Sequence, residues 1–175
     1  MKNKFIYKNI FFYSSLQSIG NLEEYFAKHS EKLVAFILMG RLNNKVNLIR
    51  LYRKGHLVDE KKVGISQNLF LYYVMWYCYH LYILIKYFSS QEKVVVFSFH
   101  PISFFGMALQ KILRNVDFLF WDGDYFPPVN WSLILFEKLK KYYNNKVKYG
   151  IYQSDVLNKI MNGSCLLYTS PSPRD

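Results

Sequence analysis

A chain of 175 residues, half of them hydrophobic and with 16 tyrosines and 15 phenylalanines, is long enough for one domain with a real core and too apolar to be disordered. Its formal net charge of +11 suits an anionic partner (a phosphorylated sugar, a nucleotide, an anionic membrane surface or nucleic acid) or simply a basic, soluble surface. Of its two cysteines, Cys165 belongs to a tail set aside below, so neither an intrachain disulfide nor a cysteine-based metal site is expected, and a reducing compartment fits.

The opening MKNKFIYKNIFFYSS is basic, but its apolar stretch is too short for a signal-peptide core and reads as a first strand over 9–13. A loop with Ser14, Ser15, Ser18 and Gly20 leads to a helix over 21–29, where Glu23 and Glu24 suit the positive end of the helix dipole. A second strand follows over 32–38. In KVNLIRLYRKGHLVDEK two extended stretches flank Lys54-Gly55, a turn signal for a hairpin or a bent strand. LFLYYVMWYCYHLYILI, over 69–85, carries no formal charge and approaches the length of a bilayer span, yet its tyrosines and His80 would set polar groups in hydrocarbon. The expectation is a buried or interfacial helix capped at Ser66, its tyrosines lying at lipid headgroups or reaching a sheet edge.

VVVFSFHP gives a strand over 94–99 and VDFLFWDGDYFPP one over 117–121, each a run of β-formers that stops at polar residues. Between them ISFFGMALQKILRN repeats its apolar positions at three- and four-residue steps, which predicts a helix over 102–114 and makes the block a βαβ unit. A helix over 130–143 and a strand over 148–153 come next, and Ser154 or Asp155 caps a short last helix that includes Leu157 and Ile160. The alternation predicts a doubly wound, mainly parallel α/β sheet of Rossmann-like type. In such a sheet the strand carboxyl ends form the open edge where ligands bind.

His100 follows a strand, and Pro101 keeps its backbone extended. An imidazole there can exchange hydrogen bonds with a substrate hydroxyl at neutral pH, or only bond a neighbouring loop. Asp122-Gly123-Asp124 has three readings: carboxylates holding a divalent metal with nucleotide phosphates, Asp124 on a sugar hydroxyl beside an apolar wall of Tyr125 and Phe126, or a turn closing a strand. His29, His56 and His80 lack the strand-end setting and read as structural or exposed. GxxxxGK[ST], GxGxxG and GxSxG are all absent, against an NTPase, a dinucleotide-binding domain or a serine hydrolase. Lys138, Lys140 and Lys141 crowd a helix end without interleaved aromatics, which argues against a nucleic-acid patch.

The final CLLYTSPSPRD, residues 165–175, resembles the translated read-through of a sequencing-library adapter; a disordered Ser/Pro tail is the alternative. The expected division is therefore a domain over 1–164 and an artefactual, disordered tail over 165–175 that packs on nothing, the natural protein continuing past Gly163.

In order and spacing, a strand ending in FHP, a helix, a strand ending in DYFP, a helix carrying Glu137 and Lys138, and GIYQSDVLNKIM resemble the N-terminal half of a two-Rossmann-domain (GT-B) glycosyltransferase, in particular family 4 of retaining enzymes. The resemblance is best over 94–162. It implies that His100 is the acceptor-side histidine, Asp124 the strand-end polar residue of the cleft with Tyr125 beside it, and Ser154 the serine opening the helix before the interdomain crossover. Residues 9–29 are similar to the family's first strand and helix, which puts Ser15 and Gly20 in the loop near the donor phosphates; the family's Gly-Gly pair is missing there. The resemblance further implies an acceptor-binding domain whose missing partner holds the nucleotide sugar, transfer to a glycan or lipid-linked acceptor, and no metal or cofactor. The basic surface and the aromatic helix suit docking on an anionic membrane face, and with the reducing compartment the expectation is a cytoplasmic protein peripheral to the inner membrane face. The fragment alone would be inactive. Two rivals stand beside it: a metal-dependent, single-domain (GT-A-like) transferase using Asp122 and Asp124, and a non-catalytic carbohydrate- or membrane-binding module.

Overall fold

A computed structural model describes residues 7–14, 22–37, 46–64, 66, 68–98, 115–122, 149–152 and 166–167, together with 134, 137, 138, 141 and 142. Eight strands form one sheet: β1 (Tyr7–Ser14), β2 (Ser30–Ile37), β3 (Val46–Arg53), β4 (His56–Gly64), β5 (Val94–Ser98), β6 (Val116–Asp122), β7 (Tyr149–Tyr152) and β8 (Leu166–Leu167). Their order is β4-β3-β2-β1-β5-β6-β7-β8. The six strands from β2 to β8 in that order run parallel, and β3 and β4 add an antiparallel hairpin at one edge. The fold is thus α/β with a mostly parallel sheet.

Two helices, α1 (Leu22–His29) and α2 (Leu69–Tyr87), cover opposite faces. Alternation along the strands makes both faces apolar at once. The neighbours Val34, Phe11, Val96 and Phe118, in register across β2, β1, β5 and β6, face α2. The next row, Ala35, Phe12, Phe97 and Leu119, faces α1. Strands buried on both faces must be apolar at every position, which is why they read as continuous hydrophobic runs.

α1 is short because it needs only one anchor. Phe26 inserts between Phe12 and Phe97, ring centroids 5.6 and 4.9 Å away. The chain then passes directly into β2, the Ser30 hydroxyl donating to the Phe26 carbonyl at 2.7 Å and satisfying an orphan acceptor at the helix end. This local bond lets β2 begin at Ser30, two residues ahead of the expected start.

α2 buries Tyr72, Trp76, His80, Ile83 and Leu84, a stripe at helical spacing, with the His80 ring 4.7 Å from that of Phe11. Its cap is Asn68 and not the expected Ser66. The Leu71 N–H donates to Asn68 Oδ1 at 3.2 Å and the Tyr72 N–H to the Asn68 carbonyl at 2.8 Å, the geometry of a residue directly preceding the first helical position. Ser66 instead accepts from the Asn68 N–H at 3.2 Å, one step further out. Among the described residues, no helix is long and apolar enough to cross a membrane.

The β3–β4 hairpin turns at Lys54 (φ 50°) and Gly55 (φ 89°). Two successive positive φ values match the right-handed twist of the flanking strands, as in a two-residue primed turn. Farther along, Ile134, Glu137, Lys138, Lys141 and Tyr142 are helical, within the range expected for a helix over 130–143. The helices expected over 102–114 and after Ser154 lie outside the described residues. Against the expectation of a tail that packs on nothing, Leu166 and Leu167 pair in parallel with Ile151 and Tyr152. Two apolar residues suffice for this because an edge strand offers unpaired backbone donors and acceptors.

Candidate functional site

The chain adds strands in one direction from β1 through β2 to the hairpin, then returns to place β5 on the other side of β1 and adds β6 and β7 outward from there. The strand order therefore reverses between β1 and β5. At such a point the connections leave the sheet in opposite directions and open a crevice beyond the strand carboxyl ends. Ser14 closes β1, Ser98 closes β5, Asp122 closes β6 and Tyr152 closes β7. All four strands are parallel, so these ends share one edge.

Each sequence-predicted site residue except Gly20 follows one of these ends within three positions. Ser15 comes one residue after β1, His100 two after β5, Asp124 and Tyr125 two and three after β6, and Ser154 two after β7. Gly20 precedes α1 by two residues. Ser15, Gly20, His100, Asp124, Tyr125 and Ser154 themselves lie outside the described residues. The geometry that is fixed is that of the strands delivering them. Adjacent strands lie about 5 Å apart, so β5 and β6 end within the span of one sugar ring, whereas β1 and β7 are separated by about 15 Å.

Ser98 was not singled out from the sequence. It is fully buried at the carboxyl end of β5, its Cα partnered by Tyr13 of β1 on one side and Phe120 of β6 on the other. The available signal was that serine interrupts VVVFSFHP, a polar residue inside a strand otherwise apolar up to its end. Asp122 is the last residue of β6, paired with Tyr152, while Gly123 and Asp124 lie outside the described residues. Among the described residues, no group of His, Cys, Asp and Glu is arranged to hold a metal ion.

A polar cluster fixes the start of α1, the helix that follows Ser15 and Gly20 in the chain. The Tyr52 hydroxyl donates to Glu23 Oε1 at 2.7 Å, Arg50 Nη1 approaches Glu23 Oε2 at 3.2 Å, and Arg50 Nε donates to Glu60 at 2.6 Å. Burial, with the adjacent Glu23 carboxylate, pushes the Tyr52 phenol above its ordinary range, which favours the protonated hydroxyl that donates to Glu23. The cluster ties α1 to β3 and β4. It also leaves acidic side chains, Glu23 and Glu24, in the first turn of α1, where they work against a phosphate at that helix terminus.

The described histidines are elsewhere. His80 is buried on the inner side of α2, His29 stacks on Tyr25 with centroids 4.3 Å apart, and His56 is exposed at the hairpin turn. No family model matches the chain, and neither a curated protein nor a solved structure does.

Proposed function

We propose that this chain is the acceptor-side domain of a two-domain, Rossmann-like glycosyltransferase of GT-B, family 4-like type, which moves a sugar from a nucleotide-sugar donor to a glycan or lipid-linked acceptor. The observation that supports this reading is the reversal of strand order between β1 and β5, with polar residues following the carboxyl ends of β1, β5, β6 and β7. In this reading His100 and Asp124 follow neighbouring strands and hydrogen-bond the acceptor, His100 aligning the attacking hydroxyl and Asp124 a second hydroxyl of the same sugar. Tyr125 supplies an apolar wall for the sugar face. Ser15, Gly20 and Ser154 border the side of the cleft turned toward a second domain, which carries the donor.

Catalysis by such an enzyme depends on holding donor and acceptor in near-attack geometry, an advantage of about 10⁵ M or more in effective concentration. The chain alone should therefore give no product with a panel of nucleotide sugars and acceptors, and product should form when the donor domain is present. In that two-domain form, His100→Ala and Asp124→Ala should each lower turnover while the circular dichroism spectrum is preserved. Unchanged kinetics in both variants would reduce the two positions to turn residues. Robust transfer by the chain alone, with a manganese requirement lost in Asp124→Ala, would replace this reading with the metal-dependent one.

A further inference from the structure

The outward side of α2 is apolar where a helix facing water is ordinarily charged. Leu71 is 50% exposed, Val74 and Tyr82 42% each and Ile85 52%, with Cys78 also exposed between them. These positions recur at three- and four-residue steps, so they form one stripe about 20 Å long along the helix. Beside it runs a groove of about 410 Å³ between α2 and the hairpin, walled by Met75, Tyr79 and Tyr82 on the helix and by Ile49, Lys61 and Val63 on the strands. The stripe is flanked by cations. Lys61 borders the groove, and Lys86 follows Ile85, its ammonium donating to the Tyr82 hydroxyl at 2.5 Å and lying 5.0 Å from the centroid of that ring. Asp59, a carboxylate near Lys61, lies 3.9 Å from it, too far for a strong pairing.

A stripe of bulky apolar side chains, a tyrosine at its margin and lysines with long apolar stems is what a bilayer interface selects. Hydrocarbon and negative charge there lie within a few ångströms of each other. A second copy of the chain fits less well, because an isologous contact through this stripe would press together two surfaces of the same sign, each on a chain at +11. We infer that the outward face of α2, with the α2–β4 groove, docks on an anionic phospholipid bilayer, the helix lying in the plane of the interface. This deepens the proposed function and rests on it for its purpose, since a lipid-linked acceptor would be presented to the cleft at that surface.

The test is flotation of the 175-residue chain with vesicles of phosphatidylcholine alone or with about 30% phosphatidylglycerol. Binding should appear with the anionic vesicles and fall as salt rises. It should weaken about fivefold for each lysine removed in Lys61→Gln and Lys86→Gln. Leu71→Asp with Ile85→Asp should abolish it while the melting temperature holds. In a Cys165→Ser background, a polarity-sensitive fluorophore on Cys78 should shift to the blue on the anionic vesicles. Absence of flotation, equal binding to both vesicle types, an unmoved fluorophore, or a concentration-dependent dimer that excludes lipid would each overturn the inference. No nucleotide sugar enters the experiment, so its failure leaves the transferase reading standing. Conversely, flotation without transfer by the two-domain form would remove that reading alone.

Discussion

α1 and α2 do the same job on opposite faces of one sheet, and they differ in what they show to water. α1 spends eight residues on two buried side chains, Phe26 and Ala27, and turns Glu24 and Lys28 outward as an exposed ion pair at 2.6 Å. α2 buries a longer stripe over 19 residues and turns Leu71, Val74, Cys78 and Ile85 outward. Packing on the sheet accounts for the inner side of both helices. It accounts for the outer side of α1 only, so the outer side of α2 answers to something else.

The inner sides should behave alike, and the largest effects are expected there. Phe26→Ala and Trp76→Ala each remove a large buried ring from a packed layer, and each should cost about 3–5 kcal/mol in chemical denaturation. If Trp76→Ala cost less than about 1 kcal/mol, α2 would not be a core helix and the symmetry between the two faces would break.

The next effect probes how α2 is held at its start. Asn68→Ala removes the acceptor for the Leu71 N–H and should lower stability by about 1 kcal/mol, while Ser66→Ala, outside the cap, should cost measurably less.

How α2 ends gives a smaller and pH-dependent effect. Beyond it, Glu92 accepts from the Ser89 N–H at 2.8 Å and from Lys32 at 3.0 Å, and so ties the turn after the helix to β2. Burial acts to raise the Glu92 pKa, but the Ser89 N–H and Lys32 outweigh it and hold the carboxyl below its ordinary value of 4.5. A depressed folded-state pKa means that the stabilisation is present above that ordinary value and disappears as pH falls through the depressed one. Glu92→Gln should therefore cost about 0.5–1 kcal/mol near neutral pH, and the gap from the parent chain should close as pH falls through the depressed pKa. A gap that stays constant with pH in thermal melts would mean that the carboxylate charge contributes nothing.

Much of the architecture was legible because burial on both faces leaves so little freedom. Phe11 and Phe12 face opposite layers, so the middle of β1 must be apolar at successive positions, and the same holds for 33–37 of β2 and 94–97 of β5. What escaped were features set by neighbours distant in sequence or by one-residue details. The cap of α2 turns on whether the helix starts at Leu69, which a run of apolar residues does not specify. The Glu23, Tyr52, Arg50 and Glu60 cluster joins three elements that only the fold brings together. For the site, the sequence located the strand ends, since polar residues stop the apolar runs, but the reversal between β1 and β5 that makes Ser98 interesting is a property of strand order. The outward face of α2 was hidden for a related reason: a helix apolar all round has no periodicity to say which side is in.

The smallest effect is the one that isolates this last point. Ile85 is half exposed and belongs to neither buried cluster, so Ile85→Asp should leave stability within about 0.5 kcal/mol of the parent. On α1 the equivalent outward change, Lys28→Ala, removes an exposed ion pair and should leave the melting temperature unmoved. The two substitutions should thus be indistinguishable in a thermal melt. They should separate in solubility, where covering an apolar stripe with charge raises the concentration at which the chain precipitates, whereas Lys28→Ala does not. A melting temperature lowered by several degrees in Ile85→Asp would mean that this residue is held by the fold, and the contrast between the helices would then be one of packing depth alone.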